Sequence, residues 1–120
     1  MIIDRIKSLI NSGTVIPKPE AIGPFVVKGW GMRRGQSAMV YRIPNHKDSK
    51  KPYEKGITEE EFIVSYIQLK EHGELTKAWF SKVLPECVKE GGCNFTTVGG
   101  IFVLLGEARY SRRGVCSRII

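Results

Sequence analysis

The stretch Ile57-Thr58-Glu59-Glu60-Glu61-Phe62 opens the part of the chain, Thr58 to Ile120, whose reading decides the fold. Thr58 is suited to cap a helix, and Glu61 three residues on can return a bond to the cap amide. Phe62, Tyr66 and Leu69 then fall on one helical face, with Ile63 and Ile67 beside them, and Gly73 follows where that face runs out. Thr76 is placed to cap a second helix carrying Trp79, Phe80, Val83, Leu84 and Cys87, with Trp79 and Phe80 expected in the core. Pro85 ends or kinks it at Leu84, because proline has no amide proton and crowds the preceding turn. Pro85 to Glu90 is then a separate short turn stopped by Gly91-Gly92. Thr96 is expected to cap a third helix, with Val98, Ile101, Phe102 and Leu105 on its apolar face and Gly106 at its end. Gly99-Gly100 costs that helix about 2 kcal/mol against alanine; the period continues on both sides, so a close approach of another element is expected there. The last fourteen residues alternate around a turn at Ser111-Arg112-Arg113-Gly114.

Three helices followed by a basic hairpin resemble the winged helix-turn-helix class in order of elements, over residues 58–120, roughly half the chain. The resemblance implies nucleic-acid binding. The third helix does not fit its simplest form, since Asn94 to Gly106 holds no charged residue and so no arginine or lysine to meet guanine. That helix is expected to be structural or to meet a phosphate backbone through Asn94, Thr96, Thr97 and its first amides.

Upstream, Ile2 to Ile10 predicts a short helix, Thr14 to Ile16 a brief strand, and Pro17, Pro19 and Pro24 an extended connection. Phe25 to Lys28 and Ala38 to Ile43 bracket a hairpin with a basic tip at Gly29 to Gln36. Its outgoing strand is expected to send Met39, Tyr41 and Ile43 one way and Val40 and Arg42 the other. Asn45 to Lys55, rich in lysine, reads as a solvated loop. The fold class expected is α+β, a single small domain over 1–120.

The net charge of +7 is uneven: +6 over residues 1–50, −2 over 51–106 and +3 over 107–120. The positive charge belongs to the hairpins and their surroundings, which favours a polyanionic partner. Both hairpins place an aromatic residue ahead of an Arg-Arg-Gly tip, Trp30 before Arg33-Arg34 and Tyr110 before Arg112-Arg113. Guanidinium groups bind phosphate bidentately, and Trp30 and Tyr110 are able to stack on an unpaired base. The candidate nucleic-acid-binding set is therefore Arg33, Arg34, Arg112 and Arg113, supported by Lys28, Arg42, Arg109, Arg118, Trp30, Tyr110, Thr96 and Thr97.

Three function classes follow. The first is a non-enzymatic DNA- or RNA-binding protein that clamps phosphate backbone between two basic hairpins. The second is an interaction module acting as a homodimer, with Val115 to Ile120 and the Met39 to Ile43 strand as its apolar surface. The third is a small nuclease or other phosphate-handling enzyme, with His46 or Glu54 as base and arginines holding phosphate. No phosphate loop, dinucleotide fingerprint, metalloprotease motif or calcium loop occurs, and no cofactor is expected. The odd cysteine count, Cys87, Cys93 and Cys116, is not a disulfide framework and lacks a zinc spacing, so no metal is expected and a reducing, cytoplasmic setting suits it. No apolar run reaches the roughly 18 residues of a membrane span, and no membrane association is expected.

Overall fold

The computed structural model describes residues 1–19 and 23–119. The chain is a small α+β protein. Helix α1 (Ile2–Leu9) and strand β1 (Val15–Ile16) lead into β2 (Phe25–Arg33), β3 (Gln36–Ile43) and β4 (Tyr53–Thr58). Helix α2 (Glu59–His72) follows, then β5 (Glu74–Thr76), α3 (Lys77–Val83), α4 (Pro85–Glu90), α5 (Asn94–Leu104), β6 (Ala108–Arg112) and β7 (Val115–Arg118). Two antiparallel sheets result, β1-β2-β3-β4 and β5-β7-β6. The part of the proline-rich connection at residues 20–22, and Ile120 at the end of the segment assigned to a dimer surface, lie outside the described residues.

Several boundaries follow from the chemistry expected of them. Thr58 Oγ1 accepts from the Glu61 amide at 3.2 Å while Glu61 Oε1 accepts from the Thr58 amide at 2.8 Å, so the capping box is complete. Gly73 closes α2 at φ +81, a left-handed position that glycine reaches without a Cβ clash. Thr76 accepts from the Trp79 amide at 3.1 Å to begin α3, and Gly106 turns the chain after α5 at φ +74. Pro85 stands at the start of α4, where its missing amide proton costs nothing; the expected short turn is thus a helix of its own.

Other expectations are corrected. Helix α5 begins two residues before Thr96, whose hydroxyl instead donates to the Cys93 carbonyl at 3.0 Å. The polar run before Thr58 ends in a strand: β4 pairs Tyr53 with Ile43 and Glu54 with Arg42, so only the residues between β3 and β4 form the loop. The first hairpin is longer and tighter than its glycines suggest, with Arg33 opposite Gln36 and a turn of only Arg34 (φ +52) and Gly35 (φ +72). Strand β3 keeps its expected alternation, with Met39 and Tyr41 in the core, Ile43 packed against it and Arg42 exposed; what the pattern missed is that Ala38 and Val40, on the other face, are buried as well. Ile67 is exposed rather than beside the core face of α2, and Trp79 is half-buried at the core's margin.

The core runs through both halves, from Ile2, Ile3 and Ile6 of α1 to Met39, Tyr41 and Ile57 of the larger sheet and Phe62, Leu69, Phe80, Phe95, Phe102 and Cys116 beyond it. Helix α5 is its axis: eight of its eleven residues are buried. The glycine pair makes this close fit possible. A Cβ on Gly100 would come within 2.5 Å of the Pro17 carbonyl, and one on Gly99 within 2.6 Å of Cys116 Sγ, so β1 and the β6–β7 hairpin both press against bare backbone, as the uninterrupted period led one to expect.

Candidate nucleic-acid interface

The two arginine-tipped hairpins meet different surroundings. At the first, the tight turn brings both guanidiniums onto carboxylates. Arg34 donates to both oxygens of Glu61, at 2.9 and 2.7 Å, to the Gly56 carbonyl at 2.9 Å, and to Glu90. Arg33 Nε donates to Glu90 at 3.0 Å. Arg34 and Glu61 have side chains only 21% and 9% exposed, so this tip is a structural joint between the hairpin, α2 and α4. Lys28 and Arg42 both reach Glu54 across the sheet, at 3.2 and 3.4 Å. Trp30 lies beneath the Lys7 ammonium, whose nitrogen is 4.8 Å from its ring centre. These ion pairs hold the cations of the first hairpin inside the molecule's own network instead of in an exposed basic surface.

The second hairpin differs. Between Tyr110 and Arg112 the register slips, with Tyr110 opposite Cys116 but Arg112 opposite Val115, leaving Ser111 as an extra residue in a bulge that re-aims the tip. Gly114 takes φ +76 to complete the turn. Arg109, Arg112 and Arg113 are exposed. The nearest carboxylate contact among the described residues is Arg112 to Glu74 at 3.9 Å, with the Arg112 side chain 70% exposed. Arg118 is turned back onto the Lys70 carbonyl at the end of α2 and belongs to the fold.

Beneath this tip lies a cleft of about 210 Å³ lined by Pro19, Thr96, Tyr110, Ser111, Arg112, Arg113 and Gly114. Its inner wall is fixed from both sides. The Tyr110 hydroxyl donates to the Thr96 carbonyl at 2.7 Å, and burial raises its pKa far above the usual phenol range, so it remains a neutral donor. From the other side Lys18 donates to Thr96 Oγ1, Thr97 Oγ1 and the Cys93 carbonyl at 2.7, 2.6 and 3.0 Å. Its nitrogen also lies 4.3 Å from the centre of the Phe25 ring, and burial pushes its pKa down to about 8. Thr96 and Thr97, expected to meet a ligand, are thus engaged by an internal ammonium, although Thr96 still lines the cleft.

Lys18, Pro19 and Ser111 were not legible as site residues. The signal for Lys18 is its place between Pro17 and Pro19, which hold the chain extended along α5.

Among the described residues no hydrogen bond joins the residues proposed for catalysis, His46 and Glu54. His46 is exposed in the loop after β3, and none of the described hydrogen bonds involves it. Glu54 is taken up by Lys28 and Arg42, which hold its carboxyl below the usual range, the Lys28 hydrogen bond foremost. Of the two segments assigned to a dimer surface, Met39, Val40, Tyr41, Val115 and Cys116 are buried, Ile43, Ser117 and Arg118 are half-buried, and Ile119 is exposed. Cys87, Cys93 and Cys116 are free thiols, and among the described residues no group of three His, Cys, Asp or Glu is arranged to hold a metal ion. Among the described residues no helix is long and apolar enough to cross a membrane. No family model, curated protein or solved structure matches this chain.

Proposed function

We propose that this is a nucleic-acid-binding protein whose contact surface is the β6–β7 hairpin, with Arg112 and Arg113 on the phosphate backbone and Arg109 adding to the local field. The observation that carries the reading is the contrast between the hairpins. Arg33 and Arg34 have carboxylate partners at hydrogen-bond distance, whereas Arg112 and Arg113 are exposed at the rim of a cleft, the nearest carboxylate contact among the described residues being Arg112 to Glu74 at 3.9 Å. A guanidinium with an open fork is the group best suited to a phosphate.

The order α2, β5, α3, α4, α5, β6, β7, with β7 between β5 and β6, supports a winged-helix reading in which this hairpin is the wing. In that reading α5 stands where a recognition helix would be, but its burial and lack of charge make it a scaffold, and contact passes to the wing. Backbone contact through a few arginines gives binding with little sequence preference and a strong dependence on salt.

The reading is tested by fluorescence anisotropy with a labelled oligonucleotide. Arg112→Ala/Arg113→Ala is expected to weaken binding at least tenfold, while Lys28→Ala/Arg42→Ala, which removes the same formal charge from residues already paired with Glu54, is expected to change it less than twofold. Equal losses from the two variants would mean that net charge, not this hairpin, governs binding.

A further inference from the structure

The cleft under the hairpin tip is shaped for more than a phosphate. Resting on the reading above, we propose that it receives one unpaired nucleobase, so that the ligand is a single strand or a strand end rather than an uninterrupted duplex. At about 210 Å³ the cleft is below the ~300–1,000 Å³ of sites for drug-sized ligands and suits one small ring system. Pro19 and Tyr110 give it apolar walls, and the Tyr110 ring is immobilised by its hydrogen bond to Thr96, which reduces the ordering a stacked base would require. Arg112, Arg113 and Ser111 stand at the same opening, where the phosphates flanking an inserted base would lie.

The alternative, reading a duplex from its major groove, needs a helix with free polar side chains. The one helix in that place, α5, has Asn94 bonded to the Cys87 carbonyl and both threonines bonded to Lys18. The cleft at the other hairpin has an aromatic residue too, Trp30, but its cations Lys28 and Arg33 are held by Glu54 and Glu90. Only the second hairpin combines open guanidiniums with an apolar recess among the described residues.

The test uses the full chain and four probes of equal length at one salt concentration: dT12, rU12, a twelve-residue abasic strand carrying the same phosphates, and a blunt twelve-base-pair duplex. Base stacking contributes enough for dT12 or rU12 to bind roughly tenfold or more tighter than both the abasic strand and the duplex. Tyr110→Leu is expected to remove that preference; because the wild-type comparison needs no variant, a misfolded Tyr110→Leu does not blunt the test. If the abasic strand and the duplex bind as tightly as dT12 and rU12, and Arg112→Ala/Arg113→Ala still weakens all four, the base pocket is refuted and the phosphate contact stands. If no probe binds, the phosphate contact fails and the base pocket with it.

Discussion

Arg34 combines a backbone that disfavours it with a side chain the fold depends on. Its φ of +52 is a left-handed conformation that costs a non-glycine residue on the order of 1–3 kcal/mol. The bidentate bond to Glu61, the bond to Glu90 and the bond to the Gly56 carbonyl oppose that cost. Glu61 is itself nearly buried and serves as the capping-box carboxylate of α2, so removing Arg34 strands a charge at a helix start. Arg34→Ala is expected to lower stability by about 3–5 kcal/mol in urea unfolding. Arg34→Asn, which suits the backbone better, is also expected to be destabilising. Ser65 is the reverse case: its buried hydroxyl has no partner among the described residues, so Ser65→Ala is expected to be neutral or stabilising by up to ~1 kcal/mol in the same assay. Lys18 gives a pH signature. In the unfolded chain its ammonium persists to about its ordinary 10.5, while in the folded chain burial brings the pKa to about 8. Between those values the unfolded state holds more protons, so this group's contribution to stability rises with pH, and below about pH 8 it is constant. Wild type should therefore gain stability relative to Lys18→Met between pH 8 and 10 in paired denaturation curves. Parallel curves would show that Lys18 titrates normally.

At the scale of elements, local chemistry explains which ones were legible. The capping threonines Thr58 and Thr76, the break at Pro85 and the glycine ends at Gly73 and Gly106 each act within a few residues, and each is where the sequence places it. Strand β4 was hidden because Tyr53-Glu54-Lys55 is polar; it is an edge strand whose pairing with β3 is set by tertiary contact, not by an apolar period. Strand β5, three residues long, exists only because β7 returns to pair with it. The hairpins looked alike because both carry Arg-Arg-Gly; what separates them is the position of Glu61 and Glu90, remote in sequence from the first tip, and no local pattern carries that. The Gly99-Gly100 pair was legible as a close approach, and it can be tested. Gly100→Ala would set its Cβ 2.5 Å from the Pro17 carbonyl, against backbone that cannot move without shifting β1. A loss of about 1–3 kcal/mol is expected despite the better helix former, whereas Gly92→Ala, with nothing within 4 Å, should stay within about 0.5 kcal/mol of wild type by thermal or urea unfolding.

For the whole molecule, the +7 charge matters less than which cations are left without a partner. Arg5 donates to Glu107 at 2.6 Å and ties α1 to the start of β6, and Lys70 reaches the same carboxylate at 3.2 Å. Such pairs turn part of the formal charge into internal joints, and the field seen by a polyanion is then set by the exposed arginines of the β6–β7 hairpin and the lysines of the exposed loop and helix surfaces. The composition suggested a polyanionic partner, and in the function proposed here the β6–β7 hairpin is the surface that meets it. The measurement that bears most directly on this account is the salt dependence of binding to a labelled single strand, taken for wild type and Arg112→Ala/Arg113→Ala under identical conditions. Two lost phosphate contacts should make the slope of log K against log salt shallower by about 1.4, at a rate of ~0.7 per contact on a single strand. An unchanged slope, or a wild-type protein that does not bind at low salt, would contradict it.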